Sequence, residues 1–565
     1  PKVQAAIDGL RACQGTLGQS AQGLLKFLQL EDEFTRVGEP FASYAMYLRD
    51  QDTRDSKAQK MSGQMMNLLI QADEATAFAT PEILDISDET MERFYQEEPG
   101  LEHYRLALTR IRRQKEHTLS PKEEALLASA GKVSQSPSDI YKNLHDADLT
   151  FADAVDQDGR KHPVTHGTFI PMMQGSDRVL RKSAFESYYK GFDSFKNTFA
   201  AALDGQMKQL QFFADARKYP SALAAALDKT EVPVEIYHNL IAAVRESFPV
   251  MHRYMRLRKK LLGVDELHYY DIYAPMVPDQ DETIPFEKAK EMALEALAPL
   301  GEDYLAMLKE GFENRWIDVY ENQGKRSGAY SSGQYSCHPF VLLNYTDTLN
   351  DVFTLVHEMG HSIHSYLSNK TQPTAYQDYV IFVAEVASTC NEALLMEYLL
   401  SVTTDKKERA YLINHFLEQF RGTLYRQTMF AEFELAMGKM AESGQALTAD
   451  ALCQKYHALN KLYFGPDMVS DDQIALEWAR IPHFFYNYYV FQYATGFSAA
   501  VAIANRILKE GAPAVADYKK FLSGGCSTDP ISLLKIAGVD MSSPEPVNSA
   551  LALFGELVDE MEQLV

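Results

Sequence analysis

Residues 351–364 read DVFTLVHEMGHSIH, and two histidines four apart, with a glutamate beside the first, decide how the rest of the chain is read. On a helix, His357 and His361 fall one turn apart on one face, so two imidazole nitrogens can reach one tetrahedral metal ion. Glu358 can reach a water held at that ion without itself ligating. The flanks suit a helix. Thr348 can cap it, Leu349, Val352, Phe353 and Val356 supply an apolar stripe, and Ser368 with Asn369 can end it. Gly360 costs the helix roughly 1 kcal/mol relative to alanine, a cost that makes sense if another element must approach there.

The motif also occurs by chance in inert helices, so the reading turns on a third ligand. Catalytic zinc takes three protein ligands and keeps one position open. A third histidine six residues beyond His361 would mark the metzincin pattern, but that place holds Leu367. Farther on, Phe382–Glu392 carries Glu385 and Glu392, seven apart and hence on one face of an apolar helix running to Leu400. Buried unpaired, they would be costly. Ligation by Glu385, with Glu392 hydrogen-bonding a ligating histidine, removes that cost. The competing reading is a solvated acidic stripe.

Composition bounds the rest. A length of 565 residues suggests two to four packed units. A net charge of -23 and a pI near 5.1 exclude the basic footprint of a nucleic-acid or anionic-membrane binder. No apolar run of eighteen or more residues offers a membrane span. Cys13, Cys337, Cys390, Cys453 and Cys526 are scattered and lack CxxC spacing, which fits free thiols in a reducing, cytoplasmic setting.

Most of the chain follows the helical period, with segments such as Ala21–Gln29 and Met61–Phe78. Ser134–Asp139 reads as a turn-rich break. Thr150–Val155, Asp158-Gly159 and Pro163–Phe169 read as a hairpin. Residues 262–285 form a further break, and Gly328–Tyr345 reads as β structure leading into the metal motif. The expected organisation is an N-terminal helical region over 1–170, with a hairpin near 150–170, and a metal-bearing region over 171–565.

Beyond the metal motif, the chain resembles the M3 family of zinc metallopeptidases, in its oligoendopeptidase F branch. The resemblance rests on Gly324–Tyr330, Pro339–Tyr345 (PFVLLNY), Asp351–His364, Phe382–Glu392, Arg426–Glu434 (RQTMFAEFE), Pro482–Gly496 (PHFFYNYYVFQYATG) and Phe521–Met541. It implies a mostly α fold: a two-lobed helical ellipsoid enclosing a deep substrate channel, with a small β-sheet beside the HExxH helix. It implies one Zn2+ per chain, held by His357, His361 and Glu385, with Glu358 as general base and short unstructured peptides as substrates. Its transition-state histidine matches His483, and its phenolic donors fall on Tyr493, then Tyr486 and Tyr489, where the matching is looser. On a helix those three tyrosines would share one face. His364 matches a position expected beside the ligands rather than among them.

The expected chemistry is hydrolysis of internal peptide bonds. Glu358 would take a proton from the attacking water and return it to the leaving amine, while His483 and a tyrosine hydroxyl steady the carbonyl oxygen. Pro339, Phe340, Val341, Leu342, Leu343, Asn344 and Tyr345 are expected to present an edge strand on which the peptide pairs in extended form. Gly328 and Gly333 would allow close approach. Two alternatives stand beside this reading. One is an exopeptidase clamping a chain terminus with Arg326 or Arg426. The other is a non-enzymatic helical peptide binder with a structural zinc, which would normally close all four positions.

Overall fold

The computed structural model describes residues 1–277 and 283–565. Helices dominate, as expected, and the sheets are small. The chain divides into two compact units, each built from three separate stretches. One joins Pro1–Thr118, Glu282–Leu395 and Ile503–Gly538. The other joins Leu119–Asp281, Met396–Ala502 and Val539–Val565. Among the described residues the strands are β1 (Ala154–Val155), β2 (Lys161–His162), β3 (Leu267–His268), β4 (Ile317–Tyr320), β5 (Tyr330–Ser332), β6 (Phe340–Tyr345) and β7 (Met468–Val469).

In the first unit the helix foreseen over 21–29 begins at Ala21 but runs to Gln51, through Pro40. Ser20 caps it, its hydroxyl accepting from the Gly23 amide. Leu24, Phe27, Ile83, Phe94, Leu101 and Leu108 form the core beneath it, each contributing about 1.5–3 kcal/mol by burial. The unit's sheet has the order β4-β6-β5, with β6 parallel to β4 and antiparallel to β5. This corrects the expected edge strand. Pro339 precedes β6, and Phe340–Tyr345 lies in the middle of the sheet with both sides paired. The edges belong to β4 and to the polar β5. The apolar run Val341, Leu342 and Leu343 is buried, as suits a central strand rather than a half-wet edge.

The helix Leu349–Thr371 packs on β5 and β6. Thr348 caps it in a reciprocal pair with Asp351: Thr348 Oγ1 accepts from the Asp351 amide at 3.2 Å, and Asp351 Oδ2 accepts from the Thr348 amide at 3.0 Å. The helix passes Ser368 and Asn369 before it stops, because Ser368 is buried with its hydroxyl turned onto the Gln377 carbonyl. A second helix, Ile381–Val402, carries Glu385 and Glu392. Gly360 explains their closeness. A Cβ there would stand 2.6 Å from Ser388 Cα and 2.8 Å from the Ala387 carbonyl oxygen.

In the second unit the hairpin is real but shorter than expected. β1 and β2 pair over two residues each, Gly159 turns with φ 79°, and from His166 the chain is already helical. The supposed turn at Ser134–Asp139 is mostly helix, since Pro137 sits in the first turn of Ser136–Asn143, where a missing amide costs nothing. Within 262–285, β3 pairs with β7 and Tyr269–Asp271 forms one 3-10 turn, while 278–282 fall outside the described residues. The buried Asp271 meets Arg178 at 2.8 Å and Arg181 at 3.0 Å. Burial works to raise its pKa, but those hydrogen bonds hold it below the usual carboxylate range.

Candidate active site

Two helices of the first unit bring His357, His361 and Glu385 together. His357 Nε2 and His361 Nε2 lie 3.2 Å apart, and each lies 3.4 Å from Glu385 Oε2. Among the described residues this is the one group of three metal-type donors on one point. A tetrahedral ion with bonds of about 2.0–2.1 Å sets its ligands about 3.3 Å apart. The observed triangle matches on every side, and three donors leave the fourth direction open. The donor set therefore fits a divalent ion of the zinc type.

The surroundings prepare that set. His357 Nδ1 lies 2.7 Å from Glu392 Oε1, which fixes the ring with its Nε2 turned toward the ion's place. Burial works to lower the His357 pKa, yet hydrogen bonds to Glu385 and Glu392 carry it well above the ordinary range. The counterpart is Glu385, where burial pushes up but the two imidazoles hold the carboxyl far down. Asn391, between the two glutamates, donates to the Val356 carbonyl at 3.0 Å and accepts from Tyr304 at 3.0 Å, tying one helix to the other. Sequence reasoning missed this asparagine, whose one signal was a polar residue inside an apolar helix.

Glu358 is buried, and burial raises its carboxyl pKa against the pull of the His357 and His361 imidazoles. His364 departs from expectation. It hydrogen-bonds none of the ligands but is sealed in and stacked on Tyr379, ring centroids 3.6 Å apart. Burial pushes its pKa down to about 3, so it is a neutral packing ring.

The remaining expected residues lie in the second unit. His483 sits in a 3-10 turn, Pro482–Phe485, and the next helix starts only at Phe491. The shared helix face proposed for Tyr486, Tyr489 and Tyr493 is therefore corrected: only Tyr493 is helical. A loop gathers them instead, with Asn487 and Tyr488 at φ 61° and 60°. The His483 ring is 5.3 Å from Tyr486, 6.3 Å from Tyr489 and 6.1 Å from Tyr493. Burial, then the charge of Arg426, lowers the His483 pKa. Two buried side chains that sequence reasoning did not single out hold this loop. Gln206 donates to Asn487 Oδ1 at 2.8 Å, and Glu434 accepts from the Tyr488 amide at 3.0 Å. Glu434 does lie in the RQTMFAEFE stretch.

The arginines considered as terminus clamps are already engaged. Arg426 pairs with Glu477 at 2.6 Å, and Arg326 pairs with Asp50 at 3.1 Å.

A helix bearing HExxH, joined by a glutamate from the next helix and packed on a small sheet, defines a metal-dependent peptidase. Comparison with known proteins agrees. Residues 171–553 match the model of peptidase family M3, and residues 82–151 match that of oligopeptidase F. The chain is 49% identical over 564 residues to oligopeptidase PepF of Bacillus subtilis, covering 100% of this chain and 84% of that one. It is 40% identical to group B oligopeptidase PepB of Streptococcus agalactiae, covering 100% and 94%. The crystal structure of oligoendopeptidase-F from Enterococcus faecium superposes with a TM-score of 0.79 at 37% identity, covering 100% and 97%. The chain belongs to peptidase family M3, in the oligopeptidase F branch. It is a metalloendopeptidase.

Proposed function

We propose that the metal is zinc, that His357, His361 and Glu385 hold it, and that the enzyme cuts internal bonds of short extended peptides. The triangle of donors at 3.2, 3.4 and 3.4 Å carries this reading. When bound, the ion supplies Lewis acidity that brings a water's pKa toward neutrality. Glu358, buried beside the ligands and with a raised pKa, accepts the proton of the attacking water at its carboxylate and passes it to the departing amine nitrogen. Glu392 keeps the His357 ring oriented. The family resemblance gives His483 and the tyrosines around it the role of donors to a developing oxyanion, and burial with the charge of Arg426 lowers the His483 pKa, which favours the uncharged ring. The five free cysteines fit a reducing cytoplasm.

The test uses purified protein, elemental analysis and internally quenched peptides with both ends blocked. Chelation should abolish cleavage and zinc should restore it. Full cleavage by protein shown to be metal-free would sink the reading. Cleavage confined to peptides with a free end would favour an exopeptidase instead.

A further inference from the structure

Between the turn that holds His483 and the helix that begins at Phe491, the chain runs through a strained loop. Among the described residues, Asn487 and Tyr488 are the only two neighbours other than glycine with positive φ, at 61° and 60°. Residues with a side chain enter that region at a cost, and the cost persists only where the surroundings impose it. No glycine lies between His483 and Thr495 to ease the bend locally. It is imposed from outside the loop.

Two helices of the same unit impose it. Gln206, on the helix Lys196–Ala216, is 2% exposed and gives both hydrogens of its side-chain nitrogen to this stretch. Its Nε2 lies 2.8 Å from Asn487 Oδ1 and 3.3 Å from the Phe485 carbonyl oxygen. Its own oxygen accepts from Gln209 Nε2 at 2.7 Å, which fixes the end of the amide that faces the loop. Glu434, on the helix Arg426–Glu442, accepts from the Tyr488 amide at 3.0 Å. One turn further along that helix stands Gly438, where a Cβ would run into the Tyr488 hydroxyl. Tyr488 is thus seated by its amide and by its ring, and is itself buried. The chemistry of each holder is dictated. Two loop oxygens require a double donor, and one loop N–H requires an acceptor. Glu434 accepts in its protonated form at neutral pH, since burial lifts its carboxyl to about 8 and Oε2 is sealed without a partner. A glutamine is a near replica of that neutral acid.

We infer that Gln206 and Glu434 are positioning residues of the hydrolysis, fixing the loop so that His483, Tyr486, Tyr489 and Tyr493 stand as one preset group of donors. The inference rests on the reading above that assigns this group to the developing oxyanion. Donors set in place beforehand stabilise charge without reorganising as it forms. A displacement of about 1 Å lowers such a rate about a hundredfold. Gln206 and Glu434 belong to one compact unit, and the metal donors His357, His361 and Glu385 to the other. Their effect therefore falls on kcat and spares metal content.

The test uses the metal-loaded enzyme and one quenched peptide, with kcat, KM, metal content and Tm read for every variant. Gln206→Glu keeps the volume but, in either protonation state, loses at least one of the two donated hydrogen bonds. Its kcat should fall about 10–100-fold at unchanged KM and metal content. Glu434→Leu, which leaves the Tyr488 amide without its acceptor, should fall likewise, and the conservative Glu434→Gln should restore the rate. In a His483→Ala background the Gln206→Glu loss should largely vanish, because the group it places is already broken. If Gln206→Glu fails to fold, judged by Tm, Asn487→Gly removes the same hydrogen bond from the loop's side, at a backbone angle glycine accepts, and should lower kcat too. Wild-type kcat in these variants, or a change confined to KM or Tm, overturns the inference. So does a Gln206→Glu loss of equal size with and without His483, and a Glu434→Gln enzyme as slow as Glu434→Leu removes Glu434 from it. A His483→Ala enzyme with full kcat overturns the oxyanion reading and the inference with it, and leaves the metal chemistry standing.

Discussion

Single atoms around the metal donors divide the labour, and substitution should separate them. Glu358→Gln removes only a proton acceptor. It should retain metal and lose about 10²–10⁴ in kcat, whereas His361→Ala should lose the metal itself. Glu392→Gln should keep activity at saturating zinc but weaken metal affinity by about 10–100-fold, because it loosens the His357 ring rather than removing a ligand. Elemental analysis beside kinetics distinguishes the three, and a Glu358→Gln protein without metal would reverse the assignment. Away from the metal, Glu434 makes a pH prediction. Its carboxyl, ordinarily at 4.5, is lifted by burial to about 8, against one hydrogen bond from the Tyr488 amide. Between those values the folded chain keeps a proton that the unfolded chain releases. Its contribution to stability is therefore complete below 4.5 and fades as pH climbs through about 8. Glu434→Gln, uncharged at every pH, should show a flatter Tm profile across that window. Equal slopes for both proteins would remove Glu434 as the cause.

Elements matter where two backbones must nearly touch. The HExxH helix and the Glu385 helix meet at Gly360, with Ser388 Cα 2.6 Å from where a Cβ would be. A methyl group there pushes backbone rather than a flexible side chain, so the second helix must move and carry Glu385 with it. Gly360→Ala should cost about 1–3 kcal/mol of stability and weaken metal binding as well. Differential scanning calorimetry and a chelator competition read the two effects, and unchanged metal affinity would show that the helices adjust without moving Glu385. At the start of the same helix, Thr348→Ala should cost about 0.5–2 kcal/mol by removing the cap while leaving metal affinity alone. The sheet obeys the same logic. β6 is closed on both sides, so any peptide that adds a strand must use an outer strand, and β5 is the one that touches the metal helix.

For the molecule as a whole, a peptide that pairs with a strand edge must arrive with its own backbone amides and carbonyls free. A segment cut readily as a free peptide should survive inside a stable folded domain, and should become cleavable when that domain is destabilised. Mass spectrometry of both digests checks this, and efficient cutting of the native domain would overturn it. The sequence by itself determined the helical character and the pairing of His357 with His361, because both are written in short-range spacing, whereas the approach of Glu385 to them is made by the packing of two helices. Four residues bring His357 and His361 to one face, and seven put Glu385 and Glu392 on another. It located the cap at Thr348 and anticipated that something must approach Gly360. Which strand lies at the edge was not legible there, because strand order is fixed by partners distant in sequence, and Phe340–Tyr345 looks the same until β4 and β5 are placed. The gathering of Tyr486, Tyr489 and Tyr493 around His483 was also decided by tertiary structure. Helical spacing suggested it for the wrong reason, and it is achieved through left-handed residues 487 and 488, which the buried side chains of Gln206 and Glu434 hold in place.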